Sequence, residues 1–172
     1  GESLMGALDD IHADIKAAAV QAIGLIKFEP AVDKLSSMAV KSKFQAVRLA
    51  AAISLGQIGD KSALPLLEDL LEDEEANIRW DAAIALAKMG NESGVPIINN
   101  LLNRSYYKSF KEIDSWEIEK AILVAIHVSN YLKVTNFKTN LLKLAKEDPS
   151  MEIRNAAIKT LEYSYNTELN NG

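Results

Sequence analysis

One phrase of about a dozen residues recurs along the chain, and this repetition restricts the possible folds more than any other feature. The clear copies read IKAAAVQAIGLI, VRLAAAISLGQIG and IRWDAAIALAKMG, and the weaker ones read IEKAILVAIHVSN and IRNAAIKTLEYS; they begin at Ile15, Val47, Ile78, Ile118 and Ile153. These starts lie 32, 31, 40 and 35 residues apart, the length of one supersecondary unit. Apolar residues in each copy are spaced as on one helix face. Each copy therefore predicts a helix, with the five starting positions equivalent.

A second apolar stripe follows each of the better copies and predicts the second helix of a hairpin. Gly59 and Gly90 come just after the first helix, where the left-handed conformation favours glycine. Pro65 and Pro96 fall at matching places in the first turn of the second helix, where proline removes no intrahelical hydrogen bond. The repeated unit is therefore predicted to be a helical hairpin.

The copies VRLAAAISLGQIGDKSALPLLEDLL and IRWDAAIALAKMGNESGVPIINNLL resemble the HEAT-repeat family, in particular its short repeats of the phycobilisome-lyase type. The resemblance implies an all-α fold, an α-solenoid (right-handed superhelix) of about four hairpins with partial repeats at both ends. It also implies that the second helices line a concave face, and it implies no single chemistry. We expect residues 1–172 to form a single HEAT-repeat domain. Because the first residues match the tail of a second helix, we also expect a fragment of a longer chain.

Composition excludes several classes of protein. The chain has no cysteine, so thiol nucleophiles, thiolate metal sites and disulfides are impossible. His12 and His127 lack the spacing of a metal site, and no catalytic motif occurs. We therefore predict no enzyme activity, no metal and no cofactor. No apolar run is long enough to cross a bilayer, so we expect no membrane partner; the compartment stays open, with the cytoplasm favoured.

Acidic and basic residues recur six positions apart at the junctions between repeats. The pairs are Asp10 with Lys16, Asp73 with Arg79, and Asp148 with Arg154. Pairs that recur once per repeat favour a structural ladder between neighbouring repeats over catalysis. Two junctions depart from this pattern: Ser42 precedes Arg48, which we still assign to the ladder, and Arg104 takes the place of the acid before Glu119. We expect the contacts between repeats at those two joints to be weaker, or the repeats there to be differently tied, that is, held by other side chains.

Polar residues lie on the side of each predicted second helix that faces away from its apolar stripe. The predicted partner-binding residues on this concave face are Ser36, Ser37, Glu68, Asp69, Asn99, Asn100, Asn140 and Lys143. Asparagine both donates and accepts hydrogen bonds, so a row of such residues can bind the backbone of an extended peptide. Ordinary exposed polarity is the alternative.

Six acidic residues fall within the eight positions from Glu68 to Glu75. They are either a solvated helix end or a patch that attracts a basic partner. Together with a formal net charge of -5, this block argues against a nucleic-acid partner.

The segment NRSYYKSFKEIDSWE lengthens the interval between the third and fourth copies by nine residues. Its aromatic residues are Tyr106, Tyr107, Phe110 and Trp116. Insertions on a regular scaffold often carry binding residues. Aromatic rings in a longer loop more often fill a gap in the core. Both interpretations stay open.

These observations favour a non-catalytic scaffold, as a monomer, that presents a concave groove to a protein or peptide partner. Three alternatives remain. The first is a HEAT-like protein associated with a lyase or binding a tetrapyrrole, and the second is a structural or self-associating segment of a larger repeat protein. The third, a DNA-binding HEAT-like protein, is disfavoured by the acidic groove.

Overall fold

The computed structural model describes residues 2–9, 12–59, 61, 64–132 and 134–166, and within these ranges the chain is helical with no β-strand. Helices follow one another as α1 (Glu2–Ala7), α2 (Ala13–Leu25), α3 (Val32–Lys41), α4 (Gln45–Ile58), α5 (Leu64–Asp69), α6 (Ala76–Lys88), α7 (Val95–Leu101), α8 (Ser115–Leu132), α9 (Asn136–Glu147) and α10 (Met151–Tyr165). Short 3-10 turns occur at Glu29–Ala31, Leu70–Glu72 and Arg104–Ser109.

The chain divides into two compact units, Gly1–Gly94 and Val95–Gly172. The N-terminal unit contains α1 to α6, and the C-terminal unit contains α7 to α10. The single-domain organisation stays a prediction.

Small residues let the first helices of the N-terminal unit pack closely against one another. The Oγ atom of Ser54 on α4 donates a hydrogen bond to the main-chain oxygen of Val20 on α2, at 2.8 Å. On the other side of α4, a Cβ atom added to Gly56 would lie 2.5 Å from the Cβ atom of Ala85 on α6. Because glycine has no side chain, the two backbones approach more closely than larger residues would allow.

In the C-terminal unit, α10 packs against both α8 and α9. Ile122 of α8, Phe137 and Leu141 of α9, and Ile153 of α10 are fully buried. Burial of such large apolar side chains supplies most of the free energy that holds the helices together.

The helix ends follow the predicted punctuation. Gly59 and Gly90 both have a φ of 76°, in the left-handed region. Pro65 and Pro96 are the second residues of α5 and α7, where their missing N–H groups cost no hydrogen bond.

The five repeat starts occupy the same place in their helices but differ in burial. They are the third residues of α2, α4, α6 and α10 and the fourth residue of α8. Val47, Ile78 and Ile153 are fully buried, and Ile118 is half-buried. Ile15, however, is 45% exposed, so the expectation of equal surroundings is wrong at this position. The helix before α2 is α1, which has six residues. It packs against a smaller part of α2 than α4 does.

Candidate functional site

The arginines predicted to pair with loop carboxylates bind main-chain oxygens of the same loops instead. The Nη1 atom of Arg79 donates to the carbonyl oxygens of Asp73 and Glu74, at 2.6 and 2.9 Å. Likewise, the Nη1 atom of Arg154 donates to the carbonyl oxygens of Asp148 and Pro149, at 2.6 and 3.1 Å. These arginines therefore hold the loop that enters their own helix.

The carboxylates of the same loops face an arginine that lies earlier in the chain. Asp148, whose side chain is 1% exposed, accepts two hydrogen bonds from Arg104, one from Nε at 2.7 Å and one from Nη2 at 2.9 Å. Asp73 forms an ion pair with Arg48, with 3.4 Å between Oδ2 and Nε, although the geometry is not that of a hydrogen bond. Adjacent repeats are thus tied through Asp73 and Asp148. The cation at Asp73 is Arg48, a predicted ladder residue, whereas the cation at Asp148 is Arg104, which was not predicted in this role.

Two further ladder residues were predicted at the first junction. Asp10 lies outside the described residues, and Lys16 is half-buried on α2. The joint at Arg104, expected to be weaker or differently tied, is held differently: it carries the two-point ion pair to Asp148, and Arg104 Nη2 also lies 4.0 Å from Glu119. The hydrogen bond to Asp148 is the main reason that the pKa of Arg104 is raised. At the other exceptional joint, Arg48 Nη1 donates to the carbonyl oxygen of Ser42, at 3.3 Å.

Several residues predicted for the concave face hold the repeats together. In the N-terminal unit, Glu68 on α5 accepts hydrogen bonds from Asn91 Nδ2 at 3.0 Å and Ser93 Oγ at 2.9 Å. In the C-terminal unit, Asn140 Nδ2 on α9 donates to both the main-chain and the side-chain oxygen of Asn99 on α7, each at 3.0 Å. These three side chains are half-buried and tie one element to the next.

Four of the predicted concave residues remain exposed at the surface. They are Ser37 and Asp69 in the N-terminal unit and Asn100 and Lys143 in the C-terminal unit. Ser36, Glu68 and Asn99 each directly precede one of them and are half-buried. In neighbouring positions, one side chain therefore faces the fold and the next faces solvent.

The aromatic insertion separates into core and surface residues. Tyr107 is 2% exposed, and its Oη atom donates to the carbonyl oxygen of Leu101 at 3.0 Å, so this residue belongs to the core. Half-buried Tyr106 contacts Tyr107 and Phe110 edge-on, with ring centroids 5.6 and 5.2 Å apart. Trp116 is 67% exposed, with Lys120 Nζ 5.1 Å from its ring centroid. Of the four, Trp116 is the ring most available to a partner.

A pocket of about 220 Å³ lies between the Arg104–Ser109 turn and the end of α9. Apolar and charged side chains both line it, among them Leu102, Leu144, Pro149, Arg104, Lys108 and Lys143. Lys143 and Arg104 were predicted to have other roles, and the sequence did not predict the pocket. The nine-residue insertion marked its position, because the Arg104–Ser109 turn belongs to that insertion.

Within residues 2–9, 12–59, 61, 64–132 and 134–166, no cluster of three or more histidine or carboxylate side chains is placed to hold a metal ion. In the same ranges, no helix has both the length and the apolar character that a bilayer crossing requires.

Comparison with known proteins identifies the repeats. The family model described as HEAT repeats matches residues 2–87 and 32–113, more than half of the chain. The chain therefore belongs to the HEAT-repeat family, and the predicted fold class, an all-α solenoid of HEAT-like repeats, is confirmed.

A solved structure with the same fold is the complex of CpcE and CpcF of phycocyanin lyase from Nostoc sp. PCC7120. The two folds match with a TM-score of 0.71 at 19% sequence identity, over 96% of this chain and 65% of that chain. The present chain thus spans less than two thirds of its neighbour, and at this identity the likeness concerns the fold. Among curated proteins, none matches the sequence.

Proposed function

We propose that the chain is a non-catalytic scaffold that holds a protein or peptide partner against the exposed side of its second helices. This proposal rests on one observation: neighbouring side chains on the second helices have different roles, one within the fold and one at the surface. Glu68 and Asn99 tie elements of the fold together, while Asp69 and Asn100 next to them project into solvent.

Such an arrangement favours binding for a physical reason. Hydrogen bonds from the inner residues fix the helices before a partner arrives, so that little ordering is required on association. Repeat proteins commonly use the extended surfaces of their stacked units in this way. The structural neighbour is itself described as a complex of two chains, which supports a protein as the partner.

The exposed face of α7 and α9 provides the sharpest test. The double variant Asn100→Ala with Lys143→Ala is compared with Glu162→Gln, an exposed change on α10, for binding to a partner purified from the native host. We expect the double variant to bind at least tenfold more weakly with a melting temperature within a degree of the parent, because both side chains are exposed. Asn99 is left intact, since its hydrogen bond to Asn140 contributes to the fold. Undiminished binding by the double variant would exclude this face.

A role alongside a lyase, with a bound tetrapyrrole, is the second candidate, because the neighbour in fold belongs to phycocyanin lyase. The pocket of about 220 Å³ beside the Arg104–Ser109 turn is smaller than the about 300–1,000 Å³ typical of small-molecule sites, so this pocket does not suit a tetrapyrrole. Co-expression with a bilin-producing pathway distinguishes the two. Visible absorbance that co-purifies with the chain in stoichiometric amount would favour the lyase-associated role.

A further inference from the structure

We infer that the pocket beside the Arg104–Ser109 turn anchors an acidic segment of the partner, with an apolar side chain in the pocket and a neighbouring carboxylate on its basic rim. This inference rests on the proposed scaffold function, since Lys143 belongs both to the exposed face of α9 and to the pocket.

The size and walls of the pocket suit one apolar side chain. Leu102 and Leu144 are buried residues whose surfaces line the cavity together with Pro149. A volume of about 220 Å³ is below the range of drug-sized ligands but sufficient for a single aliphatic or aromatic group. Burial of such a group supplies the non-directional part of the binding energy.

Donor capacity remains on three basic side chains at the pocket. Arg104 uses Nε and Nη2 to bind Asp148, whereas its Nη1 atom makes no hydrogen bond to any residue that the structure describes. Lys108 and Lys143 are exposed, and neither forms an ion pair within the described part of the chain. The guanidinium and the two ammonium groups can therefore all donate to a ligand.

The acidic side chains at the pocket compensate these charges only in part. Both oxygens of Asp148 already accept hydrogen bonds, from Arg104 and from the main-chain N–H of Ser150 at 3.0 Å. Glu147 is the other carboxylate in the pocket wall, and it is exposed. Glu119, 4.0 Å from Arg104 Nη2, does not line the pocket, so the lining itself carries three cations and two carboxylates. This excess of positive charge favours a ligand that carries a carboxylate.

The charge distribution along the chain favours a protein over a nucleic acid. Residues 95–172 contain 10 basic and 9 acidic side chains, and residues 1–94 contain 9 basic and 15 acidic ones. A nucleic acid requires many phosphate contacts along a basic surface, whereas the excess here is confined to one pocket. A short acidic peptide needs only the contacts that this pocket offers.

A matched set of synthetic peptides tests the inference directly. The probe is acetyl-Ser-Asp-Glu-Phe-Asp-Glu-Ser-amide; one control replaces its acids by their amides, and another replaces phenylalanine by glycine. Amide chemical shifts of the full chain are followed by NMR at low ionic strength. We expect the shifts to concentrate at Ser105 and Leu144, and each control peptide to bind about tenfold or more weakly than the probe.

Two double variants of equal net charge separate the pocket from general electrostatics. Lys108→Gln with Lys143→Gln removes two charges at the pocket, and Lys111→Gln with Lys159→Gln removes two exposed charges elsewhere in the same unit. We expect the first variant to weaken probe binding about tenfold and the second to weaken it less than twofold.

Several outcomes would overturn the inference. Equal losses of probe binding in the two double variants, or equal binding of the amide control peptide, would show that the pocket does not recognise the charge of its ligand. If the chain binds duplex DNA more tightly than the probe, and the variant Lys108→Gln with Lys143→Gln loses that binding, the site binds nucleic acid instead. If the probe does not bind while Asn100→Ala still weakens capture of the native partner, the anchor is wrong and the scaffold proposal stands.

Discussion

Replacing Gly56 with alanine tests whether the close approach of α4 and α6 determines the packing of the N-terminal unit. The added Cβ atom would lie 2.5 Å from the Cβ atom of Ala85 and 2.9 Å from its Cα atom. Carbon atoms pack best at about 3.5–4.0 Å, so the two helices must separate by roughly 1 Å.

The size of the effect follows from two opposing contributions. Overpacking of this kind costs about 1–3 kcal/mol, and exchanging glycine for alanine within a helix returns about 0.5–1 kcal/mol. We expect Gly56→Ala to lower the free energy of unfolding by about 1–2 kcal/mol, and so the melting temperature by about 2–8 °C. Gly6→Ala in α1 is the matched control, because nothing lies within 4 Å of its added Cβ atom. That control should not be destabilised.

Urea unfolding followed by circular dichroism measures both variants, provided that the dependence of stability on denaturant is unchanged. Adding Ala85→Gly to Gly56→Ala should restore part of the loss, since it removes the contact at 2.5 Å but leaves the one at 2.9 Å. A Gly56→Ala protein as stable as the parent would refute the reasoning.

Three further changes test other parts of the structure. Leu67→Ala should cost about 2–5 kcal/mol, because Leu67 is fully buried; an unchanged melting temperature would show that α5 faces the other way. Burial raises the pKa of Asp81 from 3.8 to about 6, so the folded state binds more protons between these values and stability falls as the pH rises through them. Asp81→Asn should therefore stabilise by up to about 3 kcal/mol at pH 8 and by nothing near pH 3, a difference that an exposed change such as Glu162→Gln should not reproduce. Arg104→Ala should cost about 3 kcal/mol by leaving Asp148 buried without its cation, and a double-mutant cycle with Asp148→Ala should show strong coupling; additive losses would contradict the ion pair.

Features that depend on local backbone geometry were predictable from the sequence. The left-handed conformation at Gly59 and the position of Pro65 in the first turn of α5 follow from constraints that act within a few residues. The apolar spacing likewise predicted the helices, because one face must be buried wherever a helix packs.

Pairing between side chains was less predictable. A spacing of six residues places Arg79 near both the carboxylate and the carbonyl group of Asp73, and only the structure shows that it binds the carbonyl oxygen. Asn99 and Asn140 are 41 positions apart, so their hydrogen bond depends on how α7 and α9 pack. Similarly, the aromatic content of the insertion does not distinguish buried Tyr107 from exposed Trp116.

The alternation of inward and outward side chains on the second helices has a consequence for protein engineering. Asp69 and Asn100 can be randomised while Glu68 and Asn99 are kept, since the side chains of Glu68 and Asn99 make the hydrogen bonds that join one element to the next. Such a library would vary specificity at one residue per helix without sampling misfolded variants. It offers a route to artificial binders in which the diversified positions are already separated from those that maintain the framework.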